Sequence, residues 1–114
     1  MVTDLKYLQQ MTNNDKDMMK EMIALFLDQL AEIKAEFDIL VKAKNWFELS
    51  RVAHKLKSSA LVMGIEPLAQ EMKELEFLAK EAKNTEKYPD YIARFNVMSG
   101  QIEVELKTYL ALPQ

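Results

Sequence analysis

The 114-residue chain is predicted to be all-α, an antiparallel up-down four-helix bundle with a short N-terminal capping helix. Three observations predict this. Apolar residues recur at alternating steps of four and three through four segments, the spacing that keeps one seam of a helix against its partners. No segment alternates apolar and polar residues with period two, as a half-buried strand would. Helix-breaking residues are few, three prolines and two glycines, and the prolines and Gly64 stand at the ends of the periodic segments.

Each element has its own signature. Residues 4–11 form a short helix offering Leu5, Leu8 and Met11 to cap one end of the bundle. Residues 15–44 carry the series Met19, Ile23, Phe26, Leu30, Ile33, Phe37, Leu40. Residues 46–63 carry Leu49, Ala53, Leu56, Ala60, Met63, and residues 67–83 carry Leu68, Met72, Leu75, Ala79, Ala82. Residues 89–110 carry Ile92, Phe95, Ser99, Ile102, Leu106, Tyr109. Asn45 with Glu48 reads as a capping box. Gly64 suits the left-handed residue that ends a helix. Pro67 and Pro89 suit a first helical turn, and Pro113 stands just past the last one. The connections are short, so neighbouring helices run antiparallel. Residues 1–114 therefore read as one domain.

Composition excludes several classes of function. Apolar residues make up 49%, enough for a core, and the formal net charge of −3 argues against a nucleic-acid surface built on bulk positive charge. With no cysteine there is no disulfide scaffold, thiolate metal site or thiol nucleophile. Gly64 and Gly100 are too far apart for a glycine-rich phosphate loop, so no ATP site of the chain's own is expected. The longest apolar run, residues 22–27, is far too short to span a membrane, and the N-terminus lacks a signal-peptide core. These features lead us to expect a soluble, cytoplasmic monomer. The initial Met1 and the compact end favour a free-standing protein over an excised domain.

The only histidine is His54. A lone histidine is usually an ordinary surface or packing residue. At 100° per residue, however, His54 falls about 140° from the core series of its helix and faces outward. Phe47, Ser50, Arg51, Lys57, Ser58 and Leu61 share its face. Phe47 and Leu61 lie seven residues on either side, making an exposed stripe that suits docking. Residues 49–65 hold Arg51, Lys55 and Lys57 and no acid, a locally basic stretch in an acidic chain. Lys57 is one turn beyond His54, within side-chain reach, and Ser58 adds a small hydroxyl. The pattern suits an anion held beside an imidazole, most simply a phosphoryl group.

His54-Lys55-Leu56-Lys57-Ser58-Ser59, with Gly64 ten residues after the histidine and Leu75-Glu76 at 21 and 22, resembles the histidine-containing phosphotransfer (HPt) domain. Leu68, Trp46 and Ala53 also fit, and the resemblance covers nearly the whole chain. It implies a phosphocarrier, not an independent enzyme, that takes a phosphoryl group on Nε2 of His54 and passes it between aspartates of receiver domains. These belong to a hybrid sensor kinase and a response regulator in a two-component phosphorelay. Lys57 would neutralise the phosphoryl oxygens and Ser58 would donate to them. Glu76 would hold the other ring nitrogen of His54. Phe47, Arg51, Lys55, Leu61 and Lys80 would meet the partner. The carrier would need no cofactor, since the receiver supplies the Mg²⁺. In the family a glycine usually stands where this chain has Ser58.

Two other readings compete. The Phe47–His54–Leu61 stripe could serve a phosphorylation-independent interaction module. A haem or di-iron bundle would need inward-facing ligands, usually several histidines or a Glu-x-x-His motif, and the sequence contains no such motif. The bland alternative to the phosphotransfer roles of Glu76 and Lys80 is a surface i,i+4 pair.

Overall fold

The computed structural model describes residues 2–112. Met1 and Pro113, with the expectations attached to them, lie outside the described residues. The chain is all-helical: α1 (Leu5–Met11), α2 (Lys16–Lys42), α3 (Trp46–Met63), α4 (Glu66–Lys80), a 3₁₀ turn (Thr85–Lys87) and α5 (Tyr88–Leu110). No strand occurs among the described residues.

Local chemistry sets the helix starts. The carboxylates of Asp4 and Asp15 accept from the N–H groups of Tyr7 and Met18, both at 3.1 Å, and Asn45 Oδ1 accepts from Glu48 N–H at 3.3 Å. Each cap satisfies a donor that the first turn leaves without a partner. The expected capping box is only half built. The Glu48 carboxylate turns to Arg51 at 3.3 Å, and the Asn45 N–H donates instead to Leu40 O at 3.0 Å.

The helix ends share another device. Asn13, Lys44, Gly64 and Ala82 are left-handed, with φ of 54°, 53°, 73° and 51°. The residue after each donates its N–H five residues back: Asn14 to Gln9 O, Asn45 to Leu40 O, Ile65 to Ala60 O and Lys83 to Leu78 O, all at 2.8–3.0 Å. This turn closes the last carbonyls of a helix. Glycine is needed most at Gly64. A Cβ there would lie 2.5 Å from Tyr7 Cδ1, because α1 is laid over the end of α3.

The core follows the apolar series. Met19, Ile23, Phe26, Leu30, Ile33 and Phe37 of α2 are buried, as are all five predicted residues of α3. Phe37 and Phe95 meet edge to face at 5.1 Å. Leu40, Ile92 and Tyr109 are only half-buried, at the rim of the core. Two expected core residues are exposed. Met11 lies at the open end of α1. Ala82 lies in the turn after α4, which ends at Lys80 and not at residue 83. Two large core residues lie just outside the predicted segments: Ile65, between α3 and α4, and Tyr88, one four-residue step before Ile92 at the start of α5, both fully buried.

Helix α2 packs on α3 and α5, and α4 packs on the same two, so each long helix has two neighbours. The resulting body measures 46 × 20 × 20 Å. Among the described residues no helix is long and apolar enough to cross a membrane.

Candidate functional site

The site is built on α3 and α4, joined through Gly64 and Ile65. Burial of Leu49, Val52, Ala53, Leu56, Ala60 and Met63 fixes the rotation of α3 and turns His54 outward, its side chain 59% exposed. Burial of Leu68, Met72, Leu75 and Ala79 does the same for α4 and leaves Glu76 at its boundary with α3. Glu76 Oε2 lies 2.8 Å from His54 Nδ1, and Glu76 Oε1 accepts from Lys57 Nζ at 2.9 Å. One carboxylate thus holds a ring and an ammonium from α3.

Electrostatics assigns the proton between Glu76 and His54. Burial pushes the Glu76 carboxyl up, but the hydrogen bonds and charges of Lys57 and His54 outweigh it and hold the group below its ordinary value. At neutral pH Glu76 is therefore ionised and can only accept. Nδ1 of His54 carries the proton and donates. In the neutral ring Nε2 then keeps a lone pair, and among the described residues it has no hydrogen-bond partner. The site can offer an exposed nucleophilic nitrogen whose tautomer is set from behind.

Six of the nine singled-out residues come together. Phe47, Arg51, His54, Lys55, Glu76 and Lys80 line one depression of about 550 Å³. Its exposed members are one aromatic ring, three cations and the imidazole. Arg51 is paired with Glu48, while Lys55 and Lys80 make no ion pair among the described residues. The alternative, a Glu76–Lys80 surface pair, is absent among the described residues, since Glu76 is occupied by His54 and Lys57.

The other three residues lie elsewhere. Lys57 is only 23% exposed, and its ammonium is committed to Glu76. Lys57 and Leu61 border a second depression between α3 and α4, beside Gln70 and Lys73. Ser58 opens onto a groove between α2 and α3, with Met22, Leu25 and Val62. Ser50, expected on the exposed face, is buried instead at 7% exposure, because α3 buries a broader arc than the 3.5-residue series marks. Sequence reasoning missed Glu36, which reaches the His54 depression from α2. No spacing within α3 or α4 could signal a residue brought in by another helix.

No curated protein and no solved structure matches the chain. A protein-family model, that of the Hpt domain, matches residues 21–111. That match spans most of the chain and includes His54, Lys57 and Glu76. The chain therefore belongs to the Hpt domain family, phosphocarrier modules that interact with receiver domains in phosphorelay signalling.

Proposed function

We propose that this protein is a phosphohistidine intermediate of a multistep phosphorelay, with His54 as its acceptor. It takes a phosphoryl group from the aspartate of one receiver and delivers it to the aspartate of another. In this reading residues 1–114 form one up-down four-helix domain that acts as a cytoplasmic monomer without a kinase or ATP site of its own.

The observation that carries the proposal is the pairing of Glu76 Oε2 with His54 Nδ1 at 2.8 Å on an otherwise outward-facing ring. The Nε2 lone pair attacks phosphorus of an aspartyl phosphate. An N–P bond forms, the P–O bond to the aspartate breaks, and that carboxylate leaves with the electron pair. The ring keeps its Nδ1 proton and becomes cationic, and the Glu76 carboxylate stabilises that charge. Reversal on a second receiver returns the group. The carrier needs no cofactor of its own, because the receiver brings the acids and Mg²⁺, and alignment does most of the work.

The lysines divide the task. Lys57 keeps Glu76 ionised and in place. Lys55 and Lys80, with Arg51, face the depression and meet the charge of the phosphoryl group and the acidic receiver pocket. Phe47 supplies apolar contact within that depression and Leu61 adds it from the neighbouring one between α3 and α4, while the small Ser58 hydroxyl donates toward the phosphoryl oxygens from one turn beyond His54.

Incubation with a radiolabelled phosphoreceiver tests this. Label is expected on the wild type and not on His54→Gln, with both proteins equally helical. If neither accepts label across a broad receiver panel, the exposed stripe is a phosphorylation-independent docking surface instead.

A further inference from the structure

Tyr88 is the largest fully buried side chain of the protein, and the relay chemistry makes no direct use of it. Its hydroxyl lies 2.6 Å from Lys83 O and 2.9 Å from Leu78 O. A phenol has one proton to donate, so the hydroxyl is shared between the two carbonyls, the nearer being that of Lys83. These carbonyls bracket the turn that ends α4. That turn contains Ala82, and Asn84 follows it, both left-handed at φ of 51° and 53°. Ala82 adopts this conformation against the preference of its Cβ, so the turn needs support from outside itself. Leu78 is two residues beyond Glu76 on the same helix.

The Tyr88 ring reaches the other half of the site. It meets Trp46 edge-on, with ring centroids 5.0 Å apart. Trp46 is the first residue of α3, eight residues and about 12 Å along the helix before His54. Tyr88 therefore touches the start of the helix that carries the imidazole and the end of the helix that carries its carboxylate.

We propose that Tyr88 is a positioning residue for His54. Its hydroxyl clasps the end of α4 while its ring abuts the start of α3, and together they set the register at which Glu76 meets Nδ1. This inference rests on the phosphocarrier reading for its kinetic consequence, but its geometric consequence is measurable alone. Burial raises the Tyr88 hydroxyl above the ordinary tyrosine value, with Glu86 adding to the effect, so the donated proton stays in place well into the alkaline range.

The test compares wild type with Tyr88→Phe, which keeps the ring and removes the hydroxyl. Ile102→Val, a core change in α5, serves as the control for lost stability. Two quantities are read under conditions where all three are fully helical: the ¹⁵N shifts of the His54 ring and the rate of phosphoryl acceptance. Tyr88→Phe is expected to shift the ring from one neutral tautomer toward a mixture and to slow acceptance by about fivefold, with the control at wild-type values. If Tyr88→Phe does not fold, Trp46→Phe loosens the same clasp from the α3 side and should move the same signals. A folded clasp variant with wild-type ring shifts overturns the proposal, as does a control that moves them equally. If the wild type accepts no phosphoryl group while the variant still shifts the tautomer, the phosphocarrier reading fails and the clasp stands.

Discussion

Glu76 and Glu105 each tie one element to another, but through different partners. Glu76 on α4 accepts from two side chains, His54 and Lys57. Glu105 on α5 accepts from the backbone N–H groups of Val2 and Thr3, each at 3.0 Å, and from the Thr3 hydroxyl at 2.6 Å. Burial pushes both carboxyls up, and in both the hydrogen bonds win and hold the group below its ordinary value. The hydrogen-bond donors to Glu105 are neutral, with the charge of the amino terminus adding to their effect, so that carboxylate is a clasp for the segment leading into α1. The partners of Glu76 are an exposed imidazole and a cation, so the same physics orients a ring that faces outward. A lowered carboxyl pKa thus does not by itself mark a site; the identity of its donors does.

The largest separation is expected from matched substitutions. Glu76→Gln should slow phosphoryl acceptance by His54 by roughly 10–100-fold, because an amide no longer stabilises the cationic phosphorylated ring. Glu105→Gln should leave acceptance unchanged and lower stability by about 1–2 kcal/mol, since an amide nitrogen would face a backbone donor. Single-turnover transfer and thermal unfolding of the two variants read this directly. A slowed Glu105→Gln would erase the distinction.

Acid titration gives the next effect. Both carboxyls are lowered on folding, so the stability they add is present above the unfolded glutamate value of about 4.3 and is lost as pH falls through the folded values. The melting temperature of wild type should therefore fall with pH below about 4.3. Either glutamine variant should show a shallower decline, because one of the two groups no longer binds a proton on unfolding. Equal slopes for all three proteins would contradict the assignment.

The smallest effect concerns the turn at the end of the hairpin that carries the site. Ala82→Gly relieves a left-handed alanine and should stabilise by about 1 kcal/mol, read as a raised melting temperature. Acceptance by His54 should not change, because Tyr88 already holds that turn.

Much of this was legible beforehand. The start of α3 and the outward turn of His54 followed from a cap and from spacing, whereas the Asp4 and Asp15 caps of α1 and α2 went unread. Lys57 shows where that reading stops. One turn from His54 it reads as the cation for the phosphoryl group, and the structure adds a contact no spacing in α3 could show, Glu76 of α4 at 2.9 Å. Tyr88 stands one four-residue step before Ile92 and continues the apolar series of α5, but Pro89 marked the expected helix start and left it outside the segment. Ser50 was placed on the wrong side because a 3.5-residue seam understates the arc that α3 buries between α2 and α4.

The chain's own order of residues determined which stretches are helical, where most of them begin, which stripe turns inward and that the single imidazole turns out. These depend on contacts within a turn or two of helix, and such contacts are written in neighbouring residues. Only the packed structure decided that one carboxylate from α4 would meet both His54 and Lys57, and that Tyr88 would bridge the two helices holding them. Those meetings depend on the rotation and rise of one helix against another to within about an ångström, and interlocking of the whole core, not local spacing, sets that fit.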